Sequence, residues 1–167
     1  MKVVVRAETV DDLALVREVN VEAFESKTEA DLVDRLRGVA RPVVSLVATV
    51  DGAIAGHILF SPVTLANHED LNLMGLGPMA VLPKHQRRGI GSALVREGLG
   101  RCVQLGRSAC VVLGHRDFYP RFGFVPASRF GISCKWDVPD EVFMALELTR
   151  GVLRGRSGMI RYHEAFG

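Results

Sequence analysis

The sequence predicts a mixed α/β (α+β) fold in which a central, mostly antiparallel sheet is flanked by helices. Three observations predict it. Asp51-Gly52 separates two long β-branched and apolar runs, and an Asp-Gly pair tolerates the positive φ that a tight hairpin needs. The stretch from Met79 to Leu94 passes from an apolar strand through a basic turn into an amphipathic helix. Ala109–Leu113 is apolar throughout, the pattern of a strand covered on both faces.

Taken in order, Lys2–Arg6 reads as a first strand. Thr9 opens a helix with Asp12 three positions on as its capping partner, and Leu13, Val16, Val19 and Ala23 supply the apolar face. Thr28 and Asp31 repeat that capping spacing before a second helix containing Leu32, Val33 and Leu36, with Gly38 as its stop. Val43–Val50 and Ala53–Leu65 form the hairpin. Leu71–Leu82 is a third long strand, and Gly75, Gly77 and Pro78 inside it predict a bulge or a backbone left open for contact. Gly89–Leu105 is a helix with Ile90, Leu94, Leu99, Cys102 and Val103 facing inward. Ala109–Leu113, Phe124-Val125 and Val142–Leu148 complete the strands. Ala127–Asp140 and the Gly- and Arg-rich Gly151–Gly158 read as irregular. No linker or repeat divides the chain, so residues 1–167 are expected to form one domain.

Apolar residues make up 48% and charged residues 24%, an ordinary globular balance, in a length that can enclose one substantial core. The net charge of +2 argues against a nucleic-acid partner held by phosphate neutralisation. No apolar run approaches the roughly 20 residues of a membrane span, so no membrane partner is expected. Cys102, Cys110 and Cys134 have no metal-ligand spacing, no metal is expected, and reduced thiols fit a cytoplasmic location. Met1–Arg6 lacks the charged-then-apolar pattern of an export leader.

The chemistry concentrates in Gln86-Arg87-Arg88-Gly89-Ile90-Gly91-Ser92. The first amides of a helix have no internal acceptor, and the helix dipole places partial positive charge there. Two glycines at this entry let a phosphate approach the amides, and Arg87 and Arg88 add attraction, so a diphosphate is the natural ligand class. A P-loop is excluded because no lysine follows Gly91; a dinucleotide-binding fingerprint is excluded because position 94 is leucine.

This segment resembles the coenzyme-binding signature of the GNAT N-acetyltransferases, Gln/Arg-x-x-Gly-x-Gly/Ala, which Gln86–Gly91 matches completely. Met79-Ala80-Val81-x-Pro83 before it and Ala93-Leu94 after it also follow that family's pattern. Tyr119-Pro120-Arg121-Phe122-Gly123-Phe124 matches the family's Tyr-x-x-x-Gly-Phe element. Gly114–Phe124 and the closing Gly158–Phe166 are similar to the YhbS-like acetyltransferase subgroup. The resemblance implies an acyl-CoA N-acyltransferase fold in which Leu71–Leu82 and Ala109–Leu113 run parallel and splay apart. It implies acetyl-CoA as co-substrate, with the amides of Arg87, Arg88, Gly89, Ile90, Gly91 and Ser92 on its diphosphate and the backbone of Met79, Ala80 and Val81 along its pantetheine arm. It implies Tyr119 as the proton donor to the departing thiolate, a role open to a phenol that is neutral at pH 7. Many family members carry an asparagine where this chain has His115-Arg116-Asp117, so no asparagine contact is carried over. Homodimerisation is a habit of the family that no residue here marks.

The expected reaction is acetyl transfer to a primary amine of a small molecule or peptide, by direct attack in a ternary complex. The ammonium must lose a proton, and Glu25, Glu29, His57 and His115 are the candidate bases, among which the sequence does not choose. Trp136 either lines an acceptor pocket or covers the core, the second being favoured. Arg150, Arg154 and Arg156 read as a solvated surface. The alternative to an enzyme is an acyl-CoA-binding sensor without transfer, which an intact Tyr119 disfavours.

Overall fold

The computed structural model describes residues 1–167. Seven strands form the main sheet in the order β1-β2-β3-β4-β5-β8-β6, with β1 at Val3–Ala7, β2 at Val44–Val50, β3 at Ala53–Leu65, β4 at Leu73–Val81, β5 at Ala109–Leu113, β6 at Val125–Pro126 and β8 at Phe143–Glu147. Every pairing in it is antiparallel except β4 with β5. The hairpin forms where the Asp-Gly pair sits: Asp51 and Gly52 have φ of 50° and 88°.

The period of two along the strands sorts side chains to two layers. Leu46, Ala48, Ile58 and Phe60 turn to helix α3 (Ile90–Gln104), together with Met74 and Val112 of the neighbouring strands. Val47 and Leu59 turn the other way, onto Val16 of α1 (Leu13–Phe24) and Val33 and Leu36 of α2 (Thr28–Val39). The other end of that second face is closed by the C-terminal third, with Leu73, Val111 and Ala145 against Ile132, Leu153 and Ile160. Helix and sheet approach closely at Gly98, where an added Cβ would stand 2.1 Å from the Phe60 ring.

Three local expectations are corrected and a fourth is met. Val103 is 54% exposed, while Val95 and Gly98 are buried. The face of α3 is set by Ile90, Leu94, Val95, Gly98 and Cys102, and one further residue rotates Val103 off it. Thr28 does not cap α2: it lies inside the helix, its amide donates to Ser26 Oγ at 3.1 Å, and Asp31 instead receives Arg17 of α1 at 2.8 Å. The region after Ala127 is more ordered than its polarity implies. It holds a 3-10 turn at Ala127–Phe130 and the short strand β7 (Ile132–Ser133), which pairs with β9 (Gly158–Arg161). Strand β9 in turn pairs with Thr64-Leu65 of β3, fastening the tail beside the sheet. The capping expected at Thr9 is present, since the Asp12 carboxylate accepts from the Thr9 amide at 2.7 Å; Arg6 adds two bonds to the same carboxylate.

Candidate functional site

The site begins as a defect in the sheet. Ile58 faces Met79 and Phe60 faces Leu76, so Gly77 and Pro78 together oppose Leu59: a bulge where the glycine and proline stand. The parallel pairing with β5 runs from Leu73/Ala109 to Leu76/Val112 and ends there. Beyond it β4 continues to Val81 with no ladder on that side. Leu82 donates its amide to the Ala55 carbonyl at 2.8 Å, and antiparallel bonds alternate, so Ala80 shares the next bonded pair with His57. The peptide groups of Met79 and Val81 consequently point away from β3, into the opening.

The chain then turns through a 3-10 segment at Pro83–His85 and enters α3. Arg87 and Gly89 take left-handed backbone, at φ 62° and 83°, a conformation that turns successive amides to one side. The first bond of the helix is Ala93 N–H to Gly89 O at 3.0 Å, which leaves the amides of Ile90, Gly91 and Ser92 without a helical acceptor. Gln86 braces this turn by donating Nε2 to the Val81 carbonyl at 3.0 Å. A groove of about 660 Å³ lies in front of these amides, lined by Met79, Val81, Arg87, Gly89, Gly91 and Ser92. An added Cβ at Gly89 would meet nothing within 4 Å, and one at Gly91 would lie 3.5 Å from Met79 and 3.6 Å from Phe118, so side chains at these positions would occupy the groove itself. Of the other residues singled out in the sequence, Ala80 and Ile90 are buried and Arg88 is exposed outside the lining. Three further lining residues that sequence reasoning did not assign are His85 in the turn itself and Phe118 and Arg121 from the segment after β5, the last with its guanidinium 5.5 Å from the Phe118 ring centroid.

A second cavity of about 320 Å³ opens on the other side of the gap between β4 and β5. Met79 and His115 line both spaces, so the two meet where the strands part. Tyr119 lies in this second cavity, 5% exposed, with its ring against Gly114, where an added Cβ would be 2.7 Å from Cε2. Burial, and then the nearby Cys110, push the phenol up to about 12, which keeps it protonated at neutral pH. The outer wall is aromatic. Trp136 and Phe166 each stand 5.0 Å from Tyr162, centroid to centroid.

Residues 42–126 match the acetyltransferase (GNAT) domain family. The chain is 39% identical to the N-acetyltransferase YhbS of Escherichia coli K12 over 145 residues, 86% of each chain. The chain belongs to the GNAT acetyltransferase family. It is likewise 40% identical to the N-acetyltransferase YjhQ of E. coli K12 over 134 residues, 78% of this chain and 74% of that one. Two solved structures share the fold closely. E. coli YhbS in complex with CoA superposes with a TM-score of 0.92 at 35% identity, covering 99% of this chain and 92% of that one. A Brucella melitensis GNAT acetyltransferase in complex with acetyl-CoA gives a TM-score of 0.81 at 35% identity, covering 99% of both.

In this GNAT acetyltransferase the four candidate bases separate. His57 is fully buried between Ser45 Oγ at 2.9 Å and Asn20 Nδ2 at 3.3 Å, and burial lowers it to about 4; it is a structural histidine. Glu25 is exposed at the left-handed end of α1. Glu29 and His115 line the second cavity. Trp136 lines that cavity too, so the core-covering alternative does not describe its position. Arg156 is paired with Asp70 at 2.9 Å, whereas Arg150 and Arg154 line a separate shallow cavity with Arg129. Burial raises the Cys102 and Cys110 thiols, Cys102 to about 12, which removes them as nucleophiles. Phe24, Tyr162 and Phe166 went unassigned in the sequence. Their one signal was the likeness of Gly158–Phe166 to a family ending, which carries no statement about what an aromatic residue does.

Proposed function

We propose that the chain transfers acetyl from acetyl-CoA to a primary amine, by direct attack while both reactants are bound. The observation that carries this reading is the junction of two cavities at the parted strands. One presents unpaired amides and Arg87 to a diphosphate; the other holds a protonated phenol and an aromatic wall. The CoA and acetyl-CoA complexes of the two similar structures support the choice of anion.

In this reading the amides of Ile90, Gly91 and Ser92 and the Arg87 side chain hold the diphosphate. The peptide groups of Met79 and the amide of Val81 face outward at the β4 end, the Val81 carbonyl being held by Gln86, and they pair with the pantetheine amides as an added strand would. The thioester then reaches the gap beside Tyr119. There the phenol gives its proton to the leaving sulfur, and buried walls keep water from competing for the acyl group. Positioning of the two reactants supplies most of the acceleration.

The test is calorimetry with acetyl-CoA followed by release of free thiol in the presence of an amine panel. Acetyl-CoA is expected to bind, and thiol to appear only when an amine is present. Binding with no thiol release for any amine would favour a sensor; tighter binding of ATP or NAD would end the reading.

A further inference from the structure

Resting on the acetyl-transfer reading, we propose that the acceptor is a small primary monoamine borne on an aromatic or other apolar group, and that Glu29 binds its ammonium and takes its proton. The second cavity carries both halves of this statement. Its outer wall is Phe24, Trp136, Tyr162 and Phe166, four rings drawn from α1 and from the C-terminal third, none of them sealed in the core. Aromatic faces attract cations and bury apolar surface, so such a wall suits an amine with a flat or hydrocarbon body.

Glu29 is the one carboxylate in the lining. Its Oε1 is buried and takes no hydrogen bond from the protein. A buried acceptor left without a donor is costly; a turn of the carboxyl group that brings this oxygen to the cavity lets an ammonium supply the missing partner with a charge-assisted bond. Glu29 stands in the first turn of α2, where the helix dipole favours a carboxylate.

The same lining selects among amines by charge. No lysine or arginine belongs to it, so the carboxylate of a free amino acid would find no partner. Lys135 stands 5.2 Å from the Trp136 ring centroid, but it donates to the Gly167 carbonyl and is not in the lining. One carboxylate matches one ammonium; a polyamine or an aminoglycoside would bring further charges against apolar rings. The volume of about 320 Å³ is at the small end of ligand pockets, about 300–1,000 Å³.

The proton balance closes with the residues present. The Glu29 carboxylate takes one proton from the ammonium, and the freed lone pair attacks the thioester carbonyl carbon. The carbon–nitrogen bond forms and the carbon–sulfur bond breaks. Sulfur leaves with its electron pair and takes the Tyr119 proton. The second nitrogen proton returns to the phenolate, and Glu29 releases its own to solvent, giving amide, free thiol and one proton.

The test uses 2-phenylethylamine. Calorimetry on the protein–CoA complex, which cannot turn over, is expected to show binding that Glu29→Gln weakens about tenfold. With acetyl-CoA, kcat/KM for the same amine is expected to fall about 100-fold in that variant, with Glu29→Asp restoring part of it. Acetyl-CoA affinity in each variant reports that the fold is intact. Equal amine affinity in Glu29→Gln overturns the anchor. Turnover of spermidine or of a lysine peptide without binding of 2-phenylethylamine overturns the acceptor class. Failure of the unaltered protein to bind acetyl-CoA removes the acetyl-transfer reading, and this one with it.

Discussion

The two cavities that meet at Met79 and His115 are built in opposite ways. The groove takes most of its lining from residues 79–92, a continuous strand, turn and helix start. The second cavity draws on Phe24 and Glu29, on the β4 bulge, on Leu113–Tyr119, and on Trp136, Tyr162 and Phe166. In the groove the donors are main-chain amides whose direction follows from local backbone. In the second cavity the groups are side chains that only the packed sheet brings together. A contiguous groove of this kind is set by local sequence, while an assembled pocket can change its occupant through any of its segments.

The largest expected effect strikes the groove alone. Gly89→Glu forces a side chain into left-handed backbone and sets a negative charge at the proposed diphosphate site. Acetyl-CoA affinity should fall at least about 100-fold by calorimetry, two charge-assisted contacts being lost or opposed. Unchanged affinity would move the anion site elsewhere.

Tyr119→Phe probes the junction. Turnover should fall about 100-fold while acetyl-CoA affinity stays within about twofold, because general acid catalysis acts on the leaving group and not on the diphosphate. Equal turnover would strip the phenol of its role.

His57 tests the frame beneath both cavities. It lies on β3 opposite Ala80 of β4, and burial depresses it from 6.5 to about 4. A group depressed in the folded state contributes stability that is whole above the unfolded value and drains as pH falls toward the folded one. Between pH 7 and pH 5 the protein should lose about 2 kcal/mol from this residue. Denaturant titrations of the parent and of His57→Gln should show that slope in the parent and a flatter one in the variant; equal slopes would place the acid sensitivity in other groups.

The smallest effect strikes the second cavity. Phe166→Ala should raise KM for 2-phenylethylamine about two- to fivefold, the worth of one exposed cation–ring contact, and leave acetyl-CoA affinity unchanged. A matched loss of acetyl-CoA affinity would mean that the two cavities are not separable.

How much was legible follows the same division. Asp51-Gly52, Gly77-Pro78 and Gly89 announce a hairpin, a bulge and a helix entry because each conformation is decided within a few residues by φ or by a missing amide hydrogen. The β4–β5 splay was expected from family likeness and coincides with the bulge that the glycine and proline cause. Thr28 failed as a cap because Ser26 and Arg17 compete for the same partners, and Arg17 comes from another helix. Val103 failed because apolar character alone does not say which edge of a helix face meets the sheet.

By itself the sequence determined the strand–turn–helix, its unpaired amides and the position of its glycines, since those depend on torsions and hydrogen bonds between near neighbours. Only the tertiary structure decided that Glu29, near the start of the chain, would share a cavity with Tyr162 and Phe166 at its other end. The reason is that β9 adds beside β3 and α2 packs over the same face of the sheet. Such meetings depend on long-range pairing and burial, which no local pattern encodes.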